Sequence, residues 1–425
     1  MKTSAKGYKP GRLARSAMIT LFWQLIRVGL LAAWMVVTAR LLGPAGYGTY
    51  SGLASLALTM GAFTGLGLGL VMYQGSIHAP EKFSQYWNNS LACILGSGAL
   101  ITLLFVVLGI WLHPESHYRT LIAIGISETI LFPLVTASSF AFSAHERMGW
   151  ATMLPALTAL FRLCGNLAFF QLSETRELDQ YVWFHATATL VSAFAAIALT
   201  HYFLAPRQMP LRFSRAQLLE GIGFAFSWTG SNALTSLDKT FALKFGGAEI
   251  AGLYSIAYRF ITLLTQPVDA LVSAALPRLF AQGADRAKHP RLVGMLIAVI
   301  VGYGTLAGLF IWSAAAIIPM ILGRDFAPAV ALIKLLAVVI PFYGFRMIAS
   351  QALVGRRKKK TKNLIELAAI VFLALLSMPL IPRYGAQGAA YAYIAVELFL
   401  AAATALAFAA TLNTSHDNLS DRSGQ

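Results

Sequence analysis

"GPAGYGTYSGLASL" (43–56) and "GAEIAGLYSIAYRF" (247–260) are two versions of one segment. Gly43, Gly48, Tyr50 and Ser51 align with Gly247, Gly252, Tyr254 and Ser255 at one constant offset. Each copy joins one long apolar run to the next. A weaker echo pairs "FAFSAHER" (140–147) with "ALVGRRKK" (352–359). The chain therefore reads as two related halves.

The runs on either side of these corners fix the class. The 425 residues are 57% hydrophobic and 12% charged, with a mean hydropathy of +0.66. A water-soluble fold of this length needs far more polar surface, so the chain is an all-α polytopic membrane protein. A spanning helix needs about 20 apolar residues. About twelve runs qualify, at 15–39, 47–73, 86–112, 118–143, 149–171, 180–204, 216–244, 249–277, 291–319, 327–354, 363–381 and 386–411. Six per half is an even number, so both halves enter the membrane in the same orientation. That is a parallel repeat related by an axis along the membrane normal. The expected organisation is a six-helix bundle over 1–204, a basic linker over 205–215, a second bundle over 216–411 and a polar tail over 412–425. The first run contains Arg27, and no small-residue cleavage site follows it, so it reads as a retained span.

Of the 33 lysines and arginines, 21 fall on the side of the N-terminus and six on the other, at Arg40, Arg119, Arg176, Lys244, Arg324 and Arg383. The positive-inside rule then places both termini in the cytoplasm. The net charge of +16 follows from this asymmetry. "GRRKKKTK" (355–362), between two spans, reads as a topology anchor against anionic lipid headgroups, not as a nucleic-acid patch. Cys93 and Cys164 lie far apart in apolar runs and suggest neither a disulfide nor a metal site.

The remaining charges lie inside spans, where each costs roughly 3 to more than 10 kcal/mol if left facing lipid. Helical spacing collects them into stripes. Gln24, Arg27, Trp34 and Thr38 lie near one face of the first span. Asn232, Ser236 and Lys239 share a stripe of the seventh, beside Ser231, Thr235 and Asp238. Arg259, Thr262, Gln266 and Asp269 follow one face of the eighth. These stripes face a wet cavity or protein. Arg27, Lys239 and Arg259 suit a pyrophosphate, because arginine grips phosphate oxygens bidentately and lysine adds a compact point charge. The bland alternative is a structural ion pair. Asp238 and Asp269 are candidates for charge balance or ion coupling. Arg162 could line a wall or pair between helices. Glu128 and Glu397 read first as interhelical hydrogen-bonding groups and second as proton carriers, Lys334 and Arg346 as snorkelling side chains, and Glu220 and Glu366 as ion-paired to nearby basic loops. Gly61, Gly65 and Gly69 have the spacing that lets helices approach closely. Pro133, Pro155, Pro267 and Pro341 read as kinks or as architecture.

An ordered set of motifs carries a family resemblance: "ARLLGPAGYGTY" (39–50), the Asp238–Lys239 pair followed by "G-x-Y-S-x-A", "ILGRDFAPAVALIKLLA" (321–337) and "RYGAQGAAYAYIAVE" (383–397). Over nearly the whole chain this resembles the Wzx-type polysaccharide flippases, of the superfamily that also holds lipid II flippases and MATE drug exporters. The resemblance implies two six-helix bundles in a V around a cationic cavity. It implies movement of an undecaprenyl-pyrophosphate-linked oligosaccharide across the bacterial inner membrane by alternating access. It further implies no cofactor, energy from a proton or sodium gradient or the membrane potential, and partners among polysaccharide polymerase and export machinery. One departure stands out. Relatives often have a basic residue after the glycine run of span 2, where "GLGLGLVMYQG" (65–75) ends in Met72, Tyr73 and Gln74. A MATE-like drug antiporter on the same fold is the first alternative. A membrane glycosyltransferase is the second, although the most acidic outer loop, "SETRELDQ" (173–180), is short and lacks D-x-D. No G-x-x-x-x-G-K-[ST] is present for an ATP-driven pump.

Overall fold

The computed structural model describes residues 10–281, 288–356 and 358–420. Their secondary structure is helical, with no strand among the described residues. Each of the twelve expected spans falls on a helical segment. The first helix, α1 (Pro10–Gly61), has 52 residues. At 1.5 Å per residue that is about 78 Å, more than twice the ~30 Å hydrocarbon core. It is broken at Gly43 (φ 65, ψ 179), with Pro44 next, so it holds the first span and the start of the second. The second span continues through a 3₁₀ turn (Thr64–Gly67) into α2 (Leu68–His78). Spans three to six are α3 (Phe83–Leu112), α4 (Tyr118–Gly125) with α5 (Phe132–Ala144), α6 (Met148–Leu172) and α7 (Leu178–Leu204). A π-helical stretch, Ile126–Leu131, joins α4 to α5.

The second half follows the same order. α8 (Arg215–Leu234) and α9 (Leu237–Gly246) form the seventh span, and α10 (Ala248–Ala281) the eighth. α11 (Lys288–Ala314) and the short α12 (Ile318–Leu322) form the ninth. α13 (Ala329–Leu336) and α14 (Val339–Gly355), bent by 42°, form the tenth. α15 (Lys359–Tyr384) and α16 (Ala386–Ser420) complete the chain. Eight segments among the described residues are long and apolar enough to cross a membrane unaided, and the bent pair makes nine. α8, α9 and α10 are not among them. They carry Asp238, Lys239, Arg259 and Asp269.

The lipid-facing surface is read from what stays exposed. Leu100, Leu103, Leu104 and Val107 of α3 recur at i, i+3, i+4 and i+7 and are all exposed. In water that stripe would be a liability. In a bilayer it is the solvated face.

The chain divides into two compact units. Unit 1 is Met1–Leu42 with Leu53–Thr229, and unit 2 is Gly43–Gly52 with Gly230–Gln425. Unit 1 is cored by Met72, Trp87, Phe142 and Leu154, drawn from α2, α3, α5 and α6. Unit 2 has one core on α10, α11 and α14, around Val268, Ile300 and Ile348. A second core, around Leu373 and Val396, lies on α15 and α16. The division falls at Thr229, beyond the expected linker, and the linker itself belongs to unit 1. Its backbone is held by α3. Arg207 donates its N–H to Ser84 Oγ (3.0 Å), and Asn88 Nδ2 donates to the Arg207 carbonyl (2.9 Å). Asn89, buried, donates to the Arg212 carbonyl (2.8 Å) and accepts the Arg212 N–H at 3.2 Å. Its carboxamide thus pairs with one residue as a neighbouring strand would.

The repeat is visible in the backbone. Gly43 (φ 65, ψ 179) and Gly247 (φ 83, ψ −180) adopt the same conformation, one open only to glycine. Within unit 2 the two corners meet reciprocally. A Cβ on Gly48 would lie 1.8 Å from the Ala248 carbonyl oxygen, and one on Gly252 would lie 1.9 Å from that of Pro44. Ser51 Oγ donates to Ser255 Oγ at 2.6 Å, across 204 residues of sequence. The aligned residues are thus each other's partners.

The second span departs from expectation. Gly61 does mark a close approach, since a Cβ there would meet the Glu128 carbonyl oxygen at 2.7 Å. Gly65, however, lies in a left-handed turn that also forces Leu66 to φ 48 and breaks the helix. Ser97 Oγ accepts the Gly65 N–H, freed from the helical ladder, at 2.8 Å. Pro155 sits inside α6 without ending it, and the bend of the tenth span precedes Pro341.

Candidate functional site

Each unit carries its own buried polar cluster. In unit 1 the stripe of α1 runs inward. Gln24 and Arg27 are half-buried, and Arg27 Nε is shielded from solvent with no hydrogen-bond partner. Two turns further on, Trp34 and Thr38 are buried against α6 and α7. Asn166 Nδ2 donates to Thr38 Oγ1 (2.7 Å) and to the Trp34 carbonyl (3.1 Å), and Tyr181 Oη lies 3.3 Å from Thr38 Oγ1.

Beside them the π-helical stretch presents Glu128, which is 2% exposed. Its Oε1 accepts from Arg162 Nη2 of α6 (2.8 Å) and from His185 Nε2 of α7 (3.0 Å). Arg162 Nε also donates to Thr189 Oγ1 (3.0 Å), and its guanidinium lies over the Phe132 ring. The Trp34 ring packs 6.0 Å from the His185 ring. The two readings open for Arg162 thus resolve to an interhelical ion pair with Glu128. His185 was missed in the sequence. A single histidine in an apolar run has no periodic partner to mark it, and only the i, i+4 spacing of His185 to Thr189 hints at a polar stripe.

Unit 2 holds the seventh- and eighth-span residues. Lys239 is 3% exposed. Its Nζ reaches Asp238 Oδ1 (2.8 Å) and the Thr235 carbonyl (2.7 Å), and lies 3.4 Å from the centre of the Tyr258 ring. Tyr254 donates to Asp238 Oδ2 at 2.6 Å. Asp238 and Lys239 are therefore brought together as a satisfied ion pair. Arg259, half-buried, lies beside the Tyr47 hydroxyl. Asp269 accepts from the Tyr343 hydroxyl (2.8 Å), and Gln266 is half-buried one turn away on α10. The side chain of Asn232 lies outside the described residues. Arg346 does not snorkel. It is 6% exposed and holds Glu397 through Nε (2.8 Å) and Nη2 (3.3 Å), with Tyr393 donating to the same carboxylate (3.1 Å). A bidentate fork explains this, because burying the guanidinium against α16 requires a matched carboxylate. Glu366 is paired with Lys362 (2.8 Å), as the basic loop beside it suggested.

Unit 2 thus neutralises Lys239 with Asp238 and Arg346 with Glu397. In unit 1 Glu128 neutralises Arg162 while a nitrogen of Arg27 is left without a hydrogen bond.

The fold has several solved counterparts. An inward-facing multidrug resistance MATE family transporter of the MOP superfamily matches with a TM-score of 0.72 at 14% identity, over 95% of this chain and 99% of that one. The lipid II flippase MurJ, in an inward closed conformation, matches with a TM-score of 0.70 at 13% identity, over 93% and 87%. A MOP superfamily transporter from Pyrococcus furiosus matches at 0.62 and 13% identity, over 93% of each chain. These likenesses establish the two-lobe helical fold of that superfamily. No curated protein sequence matches. A family model does, aligning with residues 13–282, the stretch that holds α1 to α10 and both glycine corners, and by that match the chain belongs to the polysaccharide biosynthesis protein family.

Proposed function

We propose that this multi-pass membrane protein flips an undecaprenyl-pyrophosphate-linked oligosaccharide across the bacterial inner membrane by alternating access, for O-antigen, capsule or exopolysaccharide. The observation that carries the reading is Arg27, a cation on an apolar helix whose shielded Nε has no hydrogen-bond partner among the described residues. A pyrophosphate supplies the acceptors that such a guanidinium lacks. Arg259 in unit 2, beside a tyrosine and not clamped like Lys239, is the second proposed phosphate contact. Lys239, through its pair with Asp238, contributes positioning and field, while Gln24, Gln266 and Asn232 are proposed for sugar or phosphate oxygens. The reading makes the protein a transporter and not an enzyme, with both termini cytoplasmic. Membrane lipids and the polymerase and export machinery are its expected neighbours.

The test is made in the native host. The gene is deleted and restored as wild type or as Arg27→Ala/Arg259→Ala, and lipid-linked glycan on the inner leaflet is measured with surface polysaccharide. Accumulation inside with loss outside, rescued by the wild type alone, supports the flippase and its cationic contacts. No change in either quantity sinks the glycan assignment, and sensitivity to cationic drugs then tests the antiporter.

A further inference from the structure

We propose that Glu128, Arg162 and His185 form a single-proton site in the interior of unit 1, and that its occupancy sets whether Arg162 is neutralised or available to an anion. The site stands on geometry alone. Its link to substrate rests on the flippase reading.

Glu128 is served unevenly. Oε1 accepts both charged and ring donors, from Arg162 and His185. Oε2 is shielded from solvent and has no hydrogen-bond partner. Few ligands fit that oxygen. A metal cation wants several oxygens, and no group of three His, Cys, Asp or Glu side chains is assembled among the described residues. The hydroxyls of Thr102 and Thr129 are turned to each other and to backbone carbonyls, and that of Ser127 to the Ala123 carbonyl. A proton is the ligand that fits, and it turns Oε2 into an O–H donor. On Oε2 it leaves Oε1 free to keep both bonds.

The charge count supports the same conclusion. With His185 neutral and donating from Nε2, a tautomer assigned from the hydrogen-bond network, Glu128 and Arg162 cancel. One added proton leaves a net charge of +1. α3 and α5, packed against the π-helical stretch, carry no charged side chain. α4 carries Arg119 alone among charged side chains, exposed in its first turn, and α7 carries Tyr181, with its ring 6.1 Å from that of His185, and, toward its two ends, Asp179, paired with His117, and His201. Nothing else there compensates a second charge. Arg162 would stay positioned once Glu128 is neutral, because Thr189 and the Phe132 ring hold it independently. The local backbone is also unusual in a way that suits a functional group. Glu128 sits in the π-helical stretch, and such insertions cluster at working sites. α1 presses on its carbonyl at Gly61, which fixes the register. Finally, Trp34, packed on His185, lies seven residues from Arg27, so both face the same side of α1.

The experiment uses the full-length protein in lipid vesicles and pH-difference infrared spectroscopy, with no substrate. The wild type is expected to show a protonated-carboxyl C=O band that appears on acidification, vanishes in Glu128→Gln and moves in frequency in Glu128→Asp. His185→Gln should shift its midpoint. A wild type with no such band across the pH range in which it stays folded overturns the site, as does a band untouched by both Glu128 variants. Undecaprenyl pyrophosphate is then titrated in as probe. One linked proton changes its apparent affinity by up to about tenfold per pH unit, tighter at lower pH, at pH values above the midpoint of the band. Glu128→Gln should abolish that slope. Binding without a slope in the wild type overturns the release of Arg162. A titrating band with no binding at any pH leaves the proton site standing and refutes the flippase reading instead.

Discussion

Gly252→Ala tests the reciprocal corner most directly. The new Cβ would sit 1.9 Å from the Pro44 carbonyl oxygen. Ordinary contact is about 3.4 Å, so the two backbones must part by roughly 1.5 Å. The Ser51–Ser255 bond, now 2.6 Å, then stretches to about 4 Å and is lost. Overpacking costs about 1–3 kcal/mol and an orphaned buried hydroxyl adds about 1 kcal/mol. The sum is about 2–4 kcal/mol, or a fall in Tm of roughly 2–5 °C for a chain of 425 residues. Gly48→Ala, with its Cβ 1.8 Å from the Ala248 oxygen, should cost the same. The double variant should cost much less than the sum, because one separation accommodates both methyls. Gly96→Ala on α3 is the control. Nothing lies within 4 Å of its Cβ, and helix propensity makes it neutral or stabilising by up to about 1 kcal/mol. Thermal unfolding of the wild type and the four variants in one nanodisc lipid decides the matter. Additive losses at Gly48 and Gly252, or losses no larger than that of Gly96→Ala, refute the reciprocal packing.

Three further outcomes are expected. Lys239→Met leaves Asp238 buried beside Tyr254 without its cation and should cost about 3–5 kcal/mol, most of it recovered by adding Asp238→Asn, as a thermal double-mutant cycle will register. Glu397→Gln should destabilise by a similar amount by stranding Arg346, whereas Arg346→Met/Glu397→Leu should restore most of the Tm. A double variant no better than the single rules out an uncompensated charge as the cause. Asn89→Ala removes both linker hydrogen bonds at Arg212 and should speed limited trypsin cleavage after Arg207 and Arg212 several-fold. Unchanged cleavage would mean the linker is held by something else.

What the sequence discloses is whatever repeats or follows a period. The helical class and the twelve segments come from apolar runs, and the relation of Gly48 to Gly252 from a fixed offset. That those residues touch is a further fact, which alignment does not contain. The polar stripes are legible too, but not their partners. Arg346 pairs with Glu397 across 51 residues, and no local spacing marks that distance. Lys334, on the same span, lies near the Trp312 ring, so one expectation for the pair of cations meets two environments. In the second span one glycine spacing serves two purposes. Gly61 admits a neighbouring carbonyl, and Gly65 turns the chain. The positive φ of Gly65, Leu66 and Gly67 separates the two, and at leucine side-chain type does not encode it.

The glycine corner also has a consequence in time. At about 5–20 residues per second, the 204 residues between Ser51 and Ser255 take on the order of 10–40 s to synthesise. Throughout that interval the first corner is in the membrane with its bare glycine face uncovered and its serine hydroxyl left to the Gly48 carbonyl. The face is self-complementary, so another nascent chain at the same stage offers a surface nearly as suitable as the one still to be translated. Biogenesis in a crowded insertion zone is therefore a race between the ribosome and a neighbouring half-made copy, and the close spacing that makes the finished corner tight is what gives the intruder a place to bind.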